Sequence, residues 1–151
     1  RMKRILSALP FLLLAACTSP FGSKGPELQV RTEQEEYVVD PIRFVSAVGF
    51  TVKNEGDESI YLPHCGDQVI VAVDRREGGD WRQVSGDGGI CEAIYPSGPL
   101  EVKPGESVRS VVSVGARGSY RIRIRVTESP DSERFDQAVS NAFTVEYSPM
   151  G

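Results

Sequence analysis

The stretch SYRIRIRVT, which runs from Ser119 to Thr127, decides the fold class of this chain. Apolar side chains alternate along it with arginines at a period of two. A helix would scatter both kinds around its circumference, whereas a half-buried antiparallel strand sorts them onto opposite faces. The expected core positions are Tyr120, Ile122, Ile124 and Val126. The expected positions on a solvent-facing sheet surface are Arg121, Arg123 and Arg125.

The same period of two recurs on both sides of this stretch. Alternating positions begin at Phe44 and continue to Val52, where a turn-like segment, 54–58, follows them. Gly78-Gly79 permits the positive φ angles of a hairpin, and Pro104-Gly105 is a turn dipeptide. Short alternating strands separated by turns predict an all-β fold, namely an antiparallel β-sandwich of about 7–9 strands. A small jelly roll or open barrel is the alternative.

Four segments together resemble a known kind of domain. They are FTVKNEGDESIYL (50–62), EVKPGES (101–107), GSYRIRIRV (118–126) and SNAFTVEY (140–147). In this order they resemble the immunoglobulin-like domains of small bacterial lipoproteins, over most of residues 27–147. The resemblance implies an immunoglobulin-like sandwich that serves as a binding or scaffold module. The cysteine spacing and the absence of a mid-strand tryptophan differ from those of antibody domains.

The N-terminal segment RMKRILSALPFLLLAACTSP has the layout of a secretory signal peptide. A short positive region precedes an apolar run, Ile5–Leu14, that is too short to span a bilayer as a helix. The next residues complete Leu14-Ala15-Ala16-Cys17, which resembles the lipobox of bacterial lipoproteins. The resemblance implies cleavage before Cys17 and acylation of that residue, whereas an ordinary signal peptide with a chance cysteine is the alternative.

Three segments follow from this organisation. Residues 1–16 form the signal peptide, residues 17–26 the lipidated cysteine and a flexible tether rich in Ser, Gly and Pro, and residues 27–151 the sandwich domain. The predicted partners are the lipid bilayer, through acylated Cys17, and an envelope protein. The predicted location is a bacterial membrane. Resemblance to the sorting rule of enterobacterial lipoproteins, in which a residue other than Asp after the lipidated cysteine favours the outer membrane, implies the outer membrane facing the periplasm, since Thr18 follows Cys17.

The charge of the mature chain argues against a nucleic-acid partner. Cleavage before Cys17 removes Arg1, Lys3 and Arg4, and it leaves 14 Lys and Arg against 21 Asp and Glu, a net charge of −7. Binding to a phosphate backbone needs the opposite sign over much of the surface. The acidity keeps the domain soluble without identifying a ligand.

Cys65 and Cys91 are the two cysteines that remain when Cys17 is lipidated. An even pair in an oxidising compartment predicts a disulfide, which would close a loop worth about 3–4 kcal/mol of stability. An oxidised cysteine is neither a nucleophile nor a soft metal ligand. His64 is the only histidine, and zinc or copper needs three or four ligands. We therefore expect no catalytic residues, no metal site and no cofactor.

Two surface features are candidates for function. The stripe Arg121, Arg123 and Arg125 would suit a phosphate or an acidic partner, but cross-strand carboxylates could equally pair with it. Trp81 follows the predicted hairpin, where it is either a binding platform or a partly buried anchor. A non-enzymatic binding or structural module is the predicted function. The alternative is a proteinaceous inhibitor of a secreted hydrolase, with a disulfide-braced loop between Asp67 and Cys91 as its inhibitory element.

Overall fold

The computed structural model describes residues 27–85 and 98–148, and every regular element within them is a β-strand. The strands are β1 (Leu28–Thr32), β2 (Glu36–Val39), β3 (Ser46–Asn54), β4 (Ile60–Leu62), β5 (His64–Cys65), β6 (Gln68–Val69), β7 (Ala72–Glu77), β8 (Asp80–Ser85), β9 (Leu100–Val102), β10 (Ser107–Val114), β11 (Gly118–Val126), β12 (Asp136–Val139) and β13 (Phe143–Tyr147). The prediction of an all-β fold is confirmed.

Two sheets form the body of the domain. One has the order β1-β3-β10, and the other has the order β2-β13-β11-β7-β8, with β12 also pairing with β11. The short pairs β4-β9 and β5-β6 complete the described structure. A bridge between Tyr61 and Thr127 joins β4 to the residue that follows β11. Both large sheets contribute their inward side chains to a single hydrophobic cluster, so they pack as a sandwich.

Strand β11 behaves as its sequence predicts. Its four apolar positions are almost completely buried and lie in the core together with side chains of the opposite sheet. The core positions confirmed on this strand are Tyr120, Ile122, Ile124 and Val126. The rings of Tyr120 and Phe143 stack at a centroid distance of 5.8 Å, and Tyr37 meets Phe143 edge-on at 5.6 Å.

The strand count and the pairing differ from the prediction in two respects. The described residues hold 13 strands rather than about 7–9, because several pairs involve only two or three residues each, too few to show a period. The pairing is also not antiparallel throughout, since β2 runs parallel to β13 with Val145 opposite Tyr37. A parallel pair needs a long connection, and here almost the whole domain lies between its two strands.

Phe44 is the clearest local departure from the alternating pattern. The pattern predicts that Phe44 begins the strand and faces the core, but β3 begins at Ser46 and the Phe44 side chain is exposed. Its φ angle is 58°, in the left-handed region. Asp40 accounts for the difference, because its backbone bonds to Phe44 and Val45 close a tight loop before the strand can start.

The predicted turns, in contrast, are confirmed at their glycines. Gly78 and Gly79 have φ angles of 60° and 98° between β7 and β8, as a two-residue hairpin turn requires. Gly105 has a φ angle of 79° in the turn after Pro104, which is closed by a bond from the Glu106 N–H to the Lys103 carbonyl.

Asn54 is the junction between the end of β3, the turn that follows it and strand β9. Its side-chain amide donates to the carbonyls of Glu58 (2.7 Å) and Val102 (2.9 Å), and its Oδ1 accepts from the Gly56 N–H (3.0 Å). Its backbone N–H and carbonyl bond to residues 105–106. The residue is fully buried, so each of these groups depends on the others for its hydrogen bonds.

Strand β3 also defines the two ends of the sandwich. At one end Asn54 pairs with Leu28, the first residue of β1, and at the other Ser46 pairs with Val114. A nine-residue strand is roughly 30 Å long. We call the end at Leu28 the proximal end and the end at Ser46 the distal end.

Replacing Asn54 by alanine tests the junction. Asn54→Ala should lower the free energy of unfolding by about 2–4 kcal/mol, because the buried Val102 carbonyl and the part-buried Glu58 carbonyl and Gly56 N–H lose their partner. Asn141→Ala is the matched control, since the Asn141 side chain also accepts from a backbone N–H but is exposed. We expect a loss of about 1 kcal/mol or less for the control in urea unfolding. Equal losses for the two variants would contradict the structural role of Asn54.

Candidate functional site

The arginine stripe of β11 surrounds a buried carboxylate on the outer face of its sheet. Asp74, on β7, lies directly opposite Arg121 in the strand register. Its Oδ2 accepts from Arg121 Nε and its Oδ1 from Arg123 Nη2, each at 3.0 Å. The Asp74 side chain is only 4% exposed, whereas the two arginine side chains are about a quarter exposed. One carboxylate therefore ties two successive arginines to the neighbouring strand.

Aromatic and amide side chains cover the same stripe. The Arg121 guanidinium lies 4.7 Å from the centroid of the Trp81 ring on β8, and Arg123 Nη2 donates to Gln83 on the same strand at 2.7 Å. The Arg125 guanidinium lies 4.6 Å from the Phe135 ring centroid. These distances are typical of cation–π contacts, which favour a cation over the face of an aromatic ring. Trp81 is half-buried in this position, as expected of a hairpin anchor.

The stripe thus differs from the predicted solvent-facing surface at two of its three positions. Arg125 is exposed, but Arg121 and Arg123 are half-buried beneath their partners. The sequence did indicate that cross-strand carboxylates could pair with the arginines, but it did not identify Asp74. An acidic residue directly after the apolar run VIVAV was the available signal, because an isolated charge inside a sheet needs an ion partner. Whether the stripe and Trp81 also form an interaction surface stays a prediction.

The pairing with Asp74 changes the expected effect of mutating this stripe. Asp74→Asn should lower the free energy of unfolding by about 2–4 kcal/mol, because two half-buried guanidinium groups lose their counter-ion. Arg123→Gln should cost about 1–3 kcal/mol, more than the fraction of a kcal/mol expected for an exposed arginine. Arg82→Gln, an exposed position on β8 of the same sheet, is the control in urea unfolding. Losses for Asp74→Asn no larger than for this control would show that the pairs are not structural.

A cleft of about 350 Å³ opens beside the bridge between Tyr61 and Thr127, in the proximal half of the sandwich. Aromatic rings, prolines and a guanidinium surround it. The residues in its wall include Tyr61, Pro63, His64, Arg125, Thr127 and Phe135. Its volume lies at the lower limit of small-molecule sites, and its lining suits a small apolar or anionic group. As described, the cleft is bounded by residues 61–70, 98–99 and 125–135.

His64 forms one wall of this cleft and holds two chain segments together. Its Nδ1 lies 2.9 Å from the Gly66 carbonyl and its Nε2 lies 2.8 Å from the Gly98 carbonyl. Both ring nitrogens therefore face backbone carbonyl oxygens, and the tautomer decides which of the two contacts is a donated hydrogen bond. This arrangement agrees with a structural role in the loop after Pro63.

The remaining predicted site residues divide between described and undescribed parts of the chain. Cys65 lies next to His64 in β5 and is half-buried. Its predicted partner Cys91 lies outside the described residues, as does the predicted lipidation site Cys17, so the disulfide and the acylation stay predictions. Within residues 27–85 and 98–148, no three His, Cys, Asp or Glu side chains are grouped as metal ligands would be. The same residues include no helix with the length and apolar content needed to cross a bilayer.

Comparison with known proteins finds similarity among solved structures. No protein-family model matches the sequence, and no curated protein matches it. Among solved structures, the chain is similar to the one described as "X-ray structure of Northeast Structural Genomics Consortium target SoR45", with a TM-score of 0.41 and 16% identity. The similarity covers 81% of this chain and 86% of that chain. A likeness of this degree carries no conclusion about function.

Proposed function

We propose that the protein is a lipid-anchored, non-enzymatic binding or structural module of a bacterial cell envelope, built on an immunoglobulin-like sandwich. The observation that supports this proposal most directly is the position of the domain's entry point. The first strand, β1, begins at Leu28 opposite Asn54, and the carbonyl of Glu27 just before it accepts from the Glu55 N–H at the proximal end. A tether attached there holds this end toward the membrane and presents the distal end to other molecules.

The length of the tether suits this arrangement. The proposed tether is residues 18–26, which lie outside the described part of the chain, and nine residues of that Ser-, Gly- and Pro-rich composition have a root-mean-square span of roughly 15–18 Å as a random coil. That span lifts the domain clear of the lipid headgroups. Several acyl chains on Cys17 would make the attachment stable, at about 0.8 kcal/mol for each buried CH₂ group.

The way the ionisable side chains are used supports binding rather than catalysis. Asp74 is paired with two arginines, and the His64 ring lies between two backbone carbonyls to which one of its nitrogens donates, so both side chains are held in structural contacts. A general acid or base must instead reach the proton of a bound substrate. The proposed partners are accordingly the lipid bilayer and an envelope protein, at the outer membrane facing the periplasm, and no nucleic acid is among them.

The hydrolase-inhibitor alternative receives less support from the structure. Its predicted inhibitory element ran from Asp67 to Cys91 as an exposed loop. Most of the described part of that segment instead forms β6, β7 and β8, and two of these strands belong to the larger sheet. The portion from 86 to 97 lies outside the described residues. An inhibitory loop there would have to fit between β8 and β9.

Substitution at the predicted lipidation site tests the anchor. Cys17→Ala in the full chain should abolish labelling by radioactive palmitate and leave a precursor of higher mass, because no thiol is available for acylation. Thr18→Asp is the matched control. It should remain labelled but move from the outer-membrane to the inner-membrane fraction, following the sorting rule that Thr18 is expected to satisfy. Normal processing and labelling of the Cys17→Ala chain would overturn the proposal.

A thiol titration tests the predicted disulfide. In the processed protein from the envelope, unfolded without reductant, Cys65 and Cys91 should give no reaction with a thiol reagent, and two thiols should appear after reduction. The physical reason is the oxidising compartment together with the gain of about 3–4 kcal/mol from closing the loop. Two reactive thiols before reduction would show that the cysteines are not paired.

A further inference from the structure

The cleft beside the bridge between Tyr61 and Thr127 exists because β7 covers only part of β11. Strand β7 pairs with β11 as far as Arg123, which lies opposite Ala72. The next pairing on that side, within the described ranges, is the bridge from Thr127 to Tyr61. The chain in between, residues 62–71, turns away from β11 and forms the β5-β6 pair, and the cleft of about 350 Å³ occupies the gap.

Two arginines and no carboxylate line this cleft and the smaller cavity next to it. The smaller cavity, of about 80 Å³, shares Pro63, Ile70 and Arg125 with the cleft and has Arg123 in its wall. None of the described residues that line either cavity is Asp or Glu. The whole sequence has 21 Asp and Glu against 17 Lys and Arg, so the charge of this wall is opposite to that of the chain.

The ion pairs of the stripe do not cancel the positive charge of the wall. Among the described residues, Arg121 and Arg123 both pair with Asp74, at 3.0 Å each, so one carboxylate serves two guanidinium groups. A net positive charge therefore remains on this part of the outer face before Arg125 is counted. The side chains are partly withdrawn from water, which strengthens their attraction for an anion and their repulsion of a cation.

An aromatic ring and a cation lie together in the wall of the cleft. The Arg125 guanidinium lies 4.6 Å from the centroid of the Phe135 ring, within the range of a cation–π contact. Further apolar surface comes from Tyr61, Pro63, Pro99 and Pro130. A ligand that suits these walls carries a negative charge next to a flat apolar body.

We propose that the cleft is a binding site for a small organic anion, namely a carboxylate attached to a single aromatic ring. Its carboxylate lies toward Arg123 and Arg125, and its ring packs against Phe135 and Tyr61. A volume of about 350 Å³ is at the lower limit of small-molecule sites, so one ring with a short chain fits and a large cofactor does not. The inference goes beyond the proposed function and depends neither on the lipid anchor nor on a protein partner.

Both parts of such a ligand are needed, and this determines what the site rejects. A neutral amide of the same shape loses the attraction of the arginines, whereas a bare anion such as acetate loses the contacts of the ring. For a ligand of about eleven non-hydrogen atoms in a small cleft, the expected Kd is about 0.1–1 mM. Selectivity for the charged, aromatic ligand is therefore the property to measure.

An NMR titration of the ¹⁵N-labelled full-length chain, purified in a non-ionic detergent, tests the inference with three probes. They are 3-phenylpropionate, its neutral amide 3-phenylpropionamide, and acetate. 3-Phenylpropionate should shift backbone amide signals of residues 61–70 and 123–137 with a Kd of about 0.1–1 mM. The amide should bind at least about tenfold more weakly, because it offers no charge to the arginines, and acetate should bind more weakly still.

Variants at the cleft separate the contribution of charge from that of the ring. Arg125→Gln should weaken the binding of 3-phenylpropionate about tenfold, and Arg125→Lys, which keeps the charge, should stay within about threefold of wild type. Arg82→Gln is the matched control, because Arg82 is exposed on β8 of the same sheet but lines neither cavity. Phe135→Ala should weaken binding about fivefold, whereas Val139→Ala, at an exposed apolar position of β12, should not.

These variants should keep the fold, since Arg125 and Phe135 are both exposed and surface substitutions change stability little. Melting temperatures close to that of the wild type would show that a loss of binding is not a loss of folding.

Four outcomes would overturn the inference. They are no shift at about 10 mM 3-phenylpropionate, equal affinity for this probe and its amide, an affinity that Arg125→Gln leaves unchanged, and shifts confined to residues outside the cleft. None of these outcomes affects the proposed lipid anchor, which palmitate labelling tests, so the two proposals fail separately.

Discussion

The buried carboxylate of Asp74 is the constraint on which the larger sheet depends. It lies on the outer face, where a sheet normally meets water, and it is covered because Arg121 and Arg123 fold over it. A carboxylate in that position is tolerated only when ion partners replace its lost hydration. The two arginines in turn lie against Trp81 and Gln83 of β8. Side chains on the outer face thereby tie β8 to β7 and β11, while the apolar core holds the inner faces of β7 and β11.

The two ends of the sandwich differ in the same physical terms. The proximal end is stabilised internally. Asn54 forms hydrogen bonds with backbone groups of the turn and of β9, so these groups have partners within the domain. The distal end is organised in the opposite way, since the bonds around Asp40 rigidify a loop whose large side chains have no place in the core. The buried hydrogen-bonded junction therefore lies at the proximal end, and the most exposed large apolar side chains of the described residues lie at the distal end.

Much of the sandwich could be predicted from period-two alternation, and the exceptions have physical causes. Long strands such as β3, β10 and β11 alternate for many residues, so their existence, and for β11 the buried face, follow from sequence. Strand β12 pairs through four residues, DQAV, that show no alternation, and β2 holds a run of three apolar residues. Neither sequence predicts a strand by itself, so these two strands form because a neighbouring strand is available to pair with them. Phe44 continues the alternation of β3 in sequence, but the local bonds of Asp40 outweigh it. The sequence identified the arginine stripe and Trp81 as candidate site residues. It did not identify Asp74 or the exposed side chains of Ile42 and Phe44.

The sequence by itself determined the all-β class, the inward face of β11 and the glycine turns, because each depends on neighbouring residues along the chain. Only the tertiary structure decided that Asp74 lies opposite Arg121 and that β2 pairs with β13. It also decided that the loop from Asp40 to Val45 lies roughly a strand length from the start of β1 at Leu28. These facts join residues far apart in sequence, and their energies arise from burial and charge pairing that exist only once the sheets have packed. A strand pattern specifies which side of a sheet a residue occupies, but the packed fold specifies what lies across from it.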